Sequence, residues 1–533
     1  MKQFIEKYQQ QVAGVLTGFD RLVFRGSLRR LNYGRWSPES EAFQAIGMEQ
    51  YLSQNSILMK HFGDHCKQIS EMIKLESLKP FYEQKLPVPF LRSAAADKEA
   101  MARKVAAERN IKSGLVCAIS TLEPSPAFEH RRTHIIRRER PSHVLYHYQI
   151  DPEMGWMHAR IQTWFPFNIQ IAINGREWLA RQMDRVGLKS RQQGNCFVWI
   201  EDYEQAQKFM DQQLEANWAE RLNRFAHGLN PAHEAIFERY TTEYYWTCYQ
   251  SEWATDVTFQ DQDFLKRLMG LLVRHGILSY SSRDVMHYFG KKVNQNGSIP
   301  ASFNGTMQID LKHYQEGDRV KYKLNGNSAK FYDKAYSPYG SVLRGAETTL
   351  NRVEDFRVYR PKEGGREDDL QWRPMRRGIA DLQRRAVVSG KANERLLDAL
   401  AAVDDSRRVE ELTAAIQQPT TWNSRRVRAL RPWGDDKPLL MAINHGEFLI
   451  NGFRNRDLQT LLYPSAAATP EERRRCSAAI SRKLRMLRAH GLIQKVSRTH
   501  RYLVTSQGRA ILIAVLTTAQ TSVQQLNRLG KAA

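Results

Sequence analysis

The sequence predicts an α+β multidomain protein: mixed helical and antiparallel-sheet N-terminal and central domains, a helical connector and a C-terminal winged helix. The four units are an α/β domain over 1–235, an α+β domain with an antiparallel meander over 236–360, the connector over 361–437 and the winged helix over 438–533. Three observations carry this. At about 150 residues per domain, a chain of 533 residues divides into three or four units. Stretches alternating with period two stand among stretches with apolar residues three and four apart, so strands and helices are mixed. Positive charge gathers at one end: residues 421–533 hold 20 Lys and Arg against 6 Asp and Glu, which is +14 of a total of +23.

The elements follow in chain order. Up to residue 85, helical spacing predicts helices interrupted by a strand over 20–28, and another helix covers 97–109. Strands are predicted over 114–121, 142–150 and 157–174, with the basic run HRRTHIIRRER (130–140) as a hairpin arm. Amphipathic helices over 176–186 and 203–226 precede the Asn230-Pro231 break. The aromatic and β-branched run 244–259 predicts a strand, followed by helices over 262–275 and 282–289. Residues 303–359, broken by Asn-Gly, Glu-Gly and Pro-Tyr-Gly, predict the meander. A polar linker over 361–370 leads to helices over 379–403 and 408–417.

Composition narrows the function classes. No run approaches the ~20 apolar residues of a membrane span, so no membrane partner is expected. The first residues lack the apolar block of a secretory signal, which predicts a cytoplasmic protein, nucleoid-associated in a bacterium. Five cysteines are scattered singly with no CxxC pair, excluding a zinc clip or redox couple of that kind. A pI near 9.8 draws polyanions. There is no GxxxxGK[ST] loop and no convincing GxGxxG after a strand, which disfavours an ATP-driven helicase.

The most specific local pattern lies over 439–509. A short helix over 455–463 ends at Pro464. Thr469-Pro470-Glu471-Glu472 then opens a second helix, since Thr caps free amides, Pro fits the first turn and the carboxylates oppose the positive end of the dipole. Cys476, Ile480, Leu484 and Leu487 form its buried stripe; Arg474, Ser477, Ser481, Arg485 and Arg488 lie off it. After Gly491 come an apolar strand, a basic tip over 497–500, a returning strand and a further helix. A helix with an Arg/Ser edge followed by a cationic wing suits duplex DNA, the helix in the major groove and the wing on the backbone or minor groove. Lys495, Arg498 and Arg501, with His500 at the tip, are the expected phosphate contacts; Ser477, Ser481, Arg482 and Arg485 stand nearer base edges. RKLRMLRAHGLIQKVSRTHRYLVTSQGR (482–509) resembles the MarR-type winged helix-turn-helix regulators, which implies duplex-DNA binding; a homodimer would span half-sites about one helical turn apart.

Upstream, NGNSAKFYDKAYSPYGSVLRGAETTL (325–350) gathers Lys330, Tyr332 and Lys334 on one strand and Arg344 and Glu347 on the next. A phenol, ammoniums, a guanidinium and a carboxylate suit attack on a phosphodiester: the Tyr332 oxygen as nucleophile, the cations lowering its pKa, Glu347 holding a divalent metal. Tyr336 and Tyr339 are rival nucleophiles. The block resembles the Y-x-K…L-R-x-E segment of rolling-circle replication initiators, with the carboxylate one residue late, as a bulge or as an accidental match. Such initiators hold their metal, here Mg²⁺ or Mn²⁺, with a histidine pair; the nearest candidates are His147, or Glu252 and Asp256 as a carboxylate alternative. A lone strand histidine is more often a hydrogen-bonded core residue, and both readings stand. The stretches 159–185, 249–256 and 325–336 are similar to a broad group of bacterial proteins associated with mobile elements, which implies a mobile-DNA setting. The expected function is thus nucleic-acid binding with transposase-like or initiator-like nicking. The alternatives are a non-enzymatic regulator or architectural protein, and a ribonucleoprotein component gripping single-stranded DNA or structured RNA through the 130–140 arm and exposed aromatics.

Overall fold

The computed structural model describes residues 1–30, 45–93, 95–291, 293–294, 305–314, 317–334, 341–362, 366, 368–401, 409–444, 448, 452–463, 469–496 and 499–522. The chain is an α+β multidomain protein. Its strands are β1 (Val12–Arg30), β2 (Phe90–Leu91), β3 (Gly114–Arg131), β4 (His134–Asp151), β5 (Gly155–Gln162), β6 (Ile169–Asn174), β7 (Ser190–Gln193), β8 (Cys196–Ile200), β9 (Thr242–Phe259), β10 (Met307–Tyr314), β11 (Gly317–Leu324), β12 (Asn327–Lys334), β13 (Ser341–Leu350), β14 (Arg357–Pro361), β15 (Leu370–Pro374), β16 (Thr420–Trp422), β17 (Arg425–Val427), β18 (Phe453–Arg454), β19 (Ile493–Lys495) and β20 (Arg501–Val504). The helices are α1 (Lys2–Lys7), α2 (Ala45–Gln54), α3 (Phe62–Glu83), α4 (Lys98–Glu108), α5 (Gly175–Arg185), α6 (Tyr203–Gln212), α7 (Trp218–Leu229), α8 (His233–Ile236), α9 (Gln262–Leu278), α10 (Ser282–Tyr288), α11 (Leu382–Leu400), α12 (Val409–Ala414), α13 (Lys437–Ile443), α14 (Asn455–Leu462), α15 (Pro470–Ala489) and α16 (Ser506–Gln520).

An 11-stranded sheet dominates, in the order β10-β11-β12-β13-β9-β1-β6-β5-β4-β3-β2. Its centre is the antiparallel pair β1 and β9, in register from Val12 opposite Phe259 to Arg30 opposite Thr242. The predicted boundary at 235/236 therefore runs through one continuous sheet, because each side supplies one of the two central strands. The cores divide differently. Leu22 and Phe24 of β1 pack with Trp246 and Trp253 of β9 in one apolar cluster, whereas Val257 and Phe259 join Leu265, Tyr322, Phe331 and Leu397 in another.

The predicted connector also divides. Helix α11 belongs to the large sheet: Asn393 donates to the Trp253 carbonyl at 3.0 Å, to Thr255 Oγ1 at 3.1 Å and to the Ala346 carbonyl at 3.1 Å. Leu412, Ile416, Val427 and Leu430 instead join the C-terminal core with Ile480, Leu484 and Leu487. Two predicted elements split. The helix over 203–226 breaks into α6 and α7 because Asn217 accepts from the Glu220 amide and starts a new helix. The strand over 157–174 becomes β5 and β6, separated by the turn at Trp164-Phe165-Pro166-Phe167, where Phe167 has φ +53°.

The C-terminal unit is a three-stranded sheet ordered β18-β20-β19 with α13, α14, α15 and α16. Thr469 and Glu472 cap α15 reciprocally, each accepting from the other's amide at 3.2 Å. The chain leaves that helix through Gly491 at φ +71°, a conformation that only glycine adopts without penalty. Ile480, Leu484 and Leu487 are buried, and Cys476 at the start of the stripe is half-buried.

His147 lies in the core, one of the two environments expected for it. Its Nε2 lies 2.9 Å from Ser77 Oγ and its ring meets Phe81 edge-on at 4.7 Å. Burial lowers its pKa to about 3. Below pH 6.5 the unfolded chain takes up a proton here that the folded chain refuses, so the stability contributed by neutral His147 is lost as pH falls from 6.5 towards 3. By pH 4 the loss amounts to about 3 kcal/mol. His147→Gln should therefore show a smaller drop in Tm between pH 7 and pH 4 than the parent chain; parallel curves would exclude the coupling.

Candidate functional site

Bulges build the site. Lys330 lies opposite Glu347 and Tyr332 opposite Arg344, so β13 spends three residues where β12 spends two. On a regular strand residues 344 and 347 would point to opposite faces; the extra residue turns both to one side. Against β9 the same irregularity falls between Arg344, opposite Asp256, and Ala346, opposite Thr255. Strand β1 repeats the device: Phe19 faces Trp253, Arg21 faces Glu252, and Asp20 is the additional residue between them. Gly175 sets the distance to the helix above. A Cβ there would lie 1.8 Å from the Phe19 carbonyl oxygen, so only glycine lets α5 start this close to β1 and carry Arg176 into the cluster.

Arg344, fully buried, organises these residues. Its Nε donates to Asp256 Oδ1 at 2.6 Å and its Nη2 to Asp256 Oδ2 at 3.0 Å and the Asn195 carbonyl at 2.9 Å. Nη1 lies 2.8 Å from Asp20 Oδ2, 3.2 Å from Glu347 Oε2 and 3.3 Å from Tyr332 Oη. Arg176 Nη2 donates to Asp256 Oδ2 at 2.9 Å, and Asn195 Nδ2 donates to Asp20 Oδ2 at 2.8 Å. Lys330 Nζ sits 2.5 Å from Glu347 Oε1. Carboxylate oxygens of Asp20, Glu252 and Glu347 all lie within 4.8 Å of one another. Asp20 and Glu252 open into a cavity of about 610 Å³ that Arg21, Trp156, His158 and Asn195 also line.

The charges do not balance. Four carboxylates, Asp20, Glu252, Asp256 and Glu347, meet three cations, Arg176, Lys330 and Arg344, and no cation forms an ion pair with Glu252 among the described residues. Burial and the neighbouring Glu347 push the Glu252 carboxyl up to about 7. Burial also works to raise Glu347, but Lys330 and Arg344 outweigh it and hold that carboxyl below its usual range. Burial would lower the pKa of Arg344; Asp20 and Asp256 outweigh it and raise it further.

The sequence-predicted residues fall out as follows. Tyr332, Lys330, Arg344 and Glu347 come together, joined by Glu252. Lys334 ends β12, and its side chain lies outside the described residues, as do Tyr336 and Tyr339. Asp256 pairs with Arg344 and Arg176 and does not belong to the Asp20–Glu252–Glu347 group. Tyr332, expected as a nucleophile, lies between Glu347 and Arg344. Its hydroxyl donates to Glu347 Oε2 at 2.7 Å, and burial raises its pKa well above the ordinary value, the reverse of what a phenolate nucleophile needs. Asp20, Arg176 and Asn195 went unpredicted. An aspartate inside the strand-forming run GFDRLVF was the one available signal, since Asp is depleted in strands.

In the C-terminal unit, Arg474, Arg482, Arg485, Lys495 and His500 are exposed, and Arg501 is half-buried. Arg498 lies outside the described residues. Two expected base-edge residues are instead tied to the preceding helix: Ser477 Oγ donates to Asn455 Oδ1 at 3.3 Å, and Asn455 Nδ2 donates to Ser481 Oγ at 2.9 Å. Arg488 lies over the Trp422 ring at 5.3 Å. The two serine contacts arise because α14 packs against that side of α15. Comparison with protein-family models, with curated proteins and with solved structures finds no match to this chain, so function rests on the residues themselves.

Proposed function

We propose that the chain is a metal-dependent nucleic-acid-processing protein, a nicking or strand-transfer enzyme of a mobile genetic element that grips duplex DNA through its C-terminal winged helix and acts on phosphodiesters at the Asp20–Glu252–Glu347 centre. The observation that carries it is the convergence of three carboxylates from three adjacent strands, two of them, Asp20 and Glu252, lining a cavity, in a chain of net charge +23. The donor set fits a hard divalent cation such as Mg²⁺ or Mn²⁺: all three are oxygen ligands, and Glu252 forms no ion pair among the described residues. Asp20, Glu252 and Glu347 would hold the ion, which would polarise a phosphoryl oxygen when bound. Arg21, opposite Glu252 and exposed at the cavity, is placed to bind the phosphate. Arg344 and Tyr332 position the carboxylates.

The test is supercoiled plasmid incubated with the full chain in Mg²⁺, Mn²⁺ or EDTA. Nicked or relaxed product in the first two only is expected. Duplex binding without cleavage, together with no heat of Mn²⁺ binding by calorimetry, would reduce the protein to a non-enzymatic DNA binder. For the winged helix, Lys495→Ala and Arg501→Ala should each flatten the dependence of log Kd on log salt by about 0.9 for every phosphate no longer neutralised, and Arg482→Ala and Arg485→Ala should relax sequence preference, all read by anisotropy on labelled duplexes. An unchanged slope in the first two and an unchanged preference in the others would remove α15 and the wing from the interface.

A further inference from the structure

A second cavity, of about 580 Å³, adjoins the carboxylate centre on the same face of the sheet. Side chains two residues apart on a strand share a face. Arg160 and Gln170 line the second cavity, and His158 and Ala172, their neighbours on the same two strands, line the first. The two spaces are thus about 7 Å apart along the strands. One rung of the sheet runs from Tyr146 through Arg160, Gln170 and Arg25 to Thr247, all in the second cavity. Two rungs on, Asn174, Arg21 and Glu252 stand in line at the carboxylate cavity.

The chemistry of the second cavity is cationic and aromatic. Arg25, Arg137, Arg160 and Arg377 contribute four guanidiniums against Glu123 and Glu139. Arg160 and Lys98 already neutralise Glu123, and Arg377 pairs with Glu354 at 2.9 Å. Arg25 and Arg137 form no ion pair with a carboxylate among the described residues. The Arg25 guanidinium stacks on the Tyr249 ring at 4.2 Å, and Tyr249 is 40% exposed. A guanidinium plane laid on an exposed phenol is a platform for an unpaired base, and the free cations beside it suit a phosphate backbone. The β3–β4 hairpin, with Arg131, Arg132, Arg137 and Arg138 exposed, extends this surface outward. A duplex presents its bases stacked and covered, so this platform suits a single strand.

We propose that the arginine–tyrosine cavity binds an unpaired nucleic-acid strand and leads it across the sheet face to the carboxylate centre. The route to that centre rests on the function proposed above; the binding does not. The test uses the full chain in EDTA, with saturating unlabelled duplex to occupy the winged helix, and fluorescein-labelled dT12 and rU12 read by anisotropy. Arg25→Gln and Tyr249→Ala should each weaken strand binding about tenfold with Tm unchanged. Tighter binding of dT12 identifies the strand as DNA and tighter binding of rU12 as RNA, either of which supports the cavity as a strand site. Binding by Arg25→Gln and Tyr249→Ala equal to the parent, or no binding of either oligonucleotide, overturns it. Asp20→Asn should bind dT12 normally. Strand binding that depends on Arg25 in a chain with no cleavage would leave the cavity standing and remove the catalytic reading.

Discussion

Arg344→Leu is expected to lower stability by about 3–5 kcal/mol, the cost of breaking a buried ion network from one side. The guanidinium is fully buried and serves Asp256, Asp20 and Glu347 at once. Leucine fills part of the volume but leaves those carboxylates with only Arg176 and Lys330. Differential scanning calorimetry reads the effect as a Tm several degrees below that of the parent chain. The deficit should narrow as pH is lowered towards 5, because Glu347, no longer held low by Arg344, protonates and ceases to repel its neighbours. A variant that melts with the parent would show that Arg344 is not what holds the three central strands together. Arg344→Lys should fall between the two, since an ammonium restores charge without the planar fork that reaches Asp256 with two nitrogens.

Glu252→Gln is expected to cut divalent-dependent cleavage by at least about 100-fold while leaving Tm unchanged or raised. The two readouts move in opposite directions for one reason. The centre carries four carboxylates against three cations, and Glu252 is the one whose pKa burial and Glu347 raise to about 7. Neutralising it balances the cluster, removes a repulsion and takes away a ligand in one step, a local case of stability traded for function. Cleavage at parental rate by the folded variant would place the chemistry elsewhere. A coincident fall in Tm would make Glu252 a structural residue instead.

Much of the architecture was legible because side-chain periodicity reports local geometry directly. The aromatic and β-branched run 244–259 matches β9, the Thr469 to Glu472 capping box marks the start of α15, and Ile480, Leu484 and Leu487 face the core as their spacing requires. The clustering of Lys330, Tyr332, Arg344 and Glu347 was also readable, because two neighbouring strands of a meander carry all four. What escaped was everything that depends on register between distant strands. Asp20 meets Glu252 only through the β1–β9 pairing, and Arg176 reaches Asp256 only because α5 begins at a glycine pressed against Phe19. The surroundings of Tyr332 and His147 were hidden for another reason. Residue type names the chemistry a group can do, whereas the fold decides what it meets: the phenol donates to Glu347 and the imidazole lies against Ser77.

The long central pair has a consequence for biosynthesis. Residues 21–26 of β1 find a partner in β6, but residues 12–19 can pair only with β9, as Val12 does with Phe259. While a ribosome makes the intervening chain, that stretch is an open strand edge carrying Leu16 and Phe19, the kind of template on which nascent chains adhere to one another. Premature termination before residue 242 makes the exposure permanent, so products shortened there belong with chaperones or in inclusion bodies.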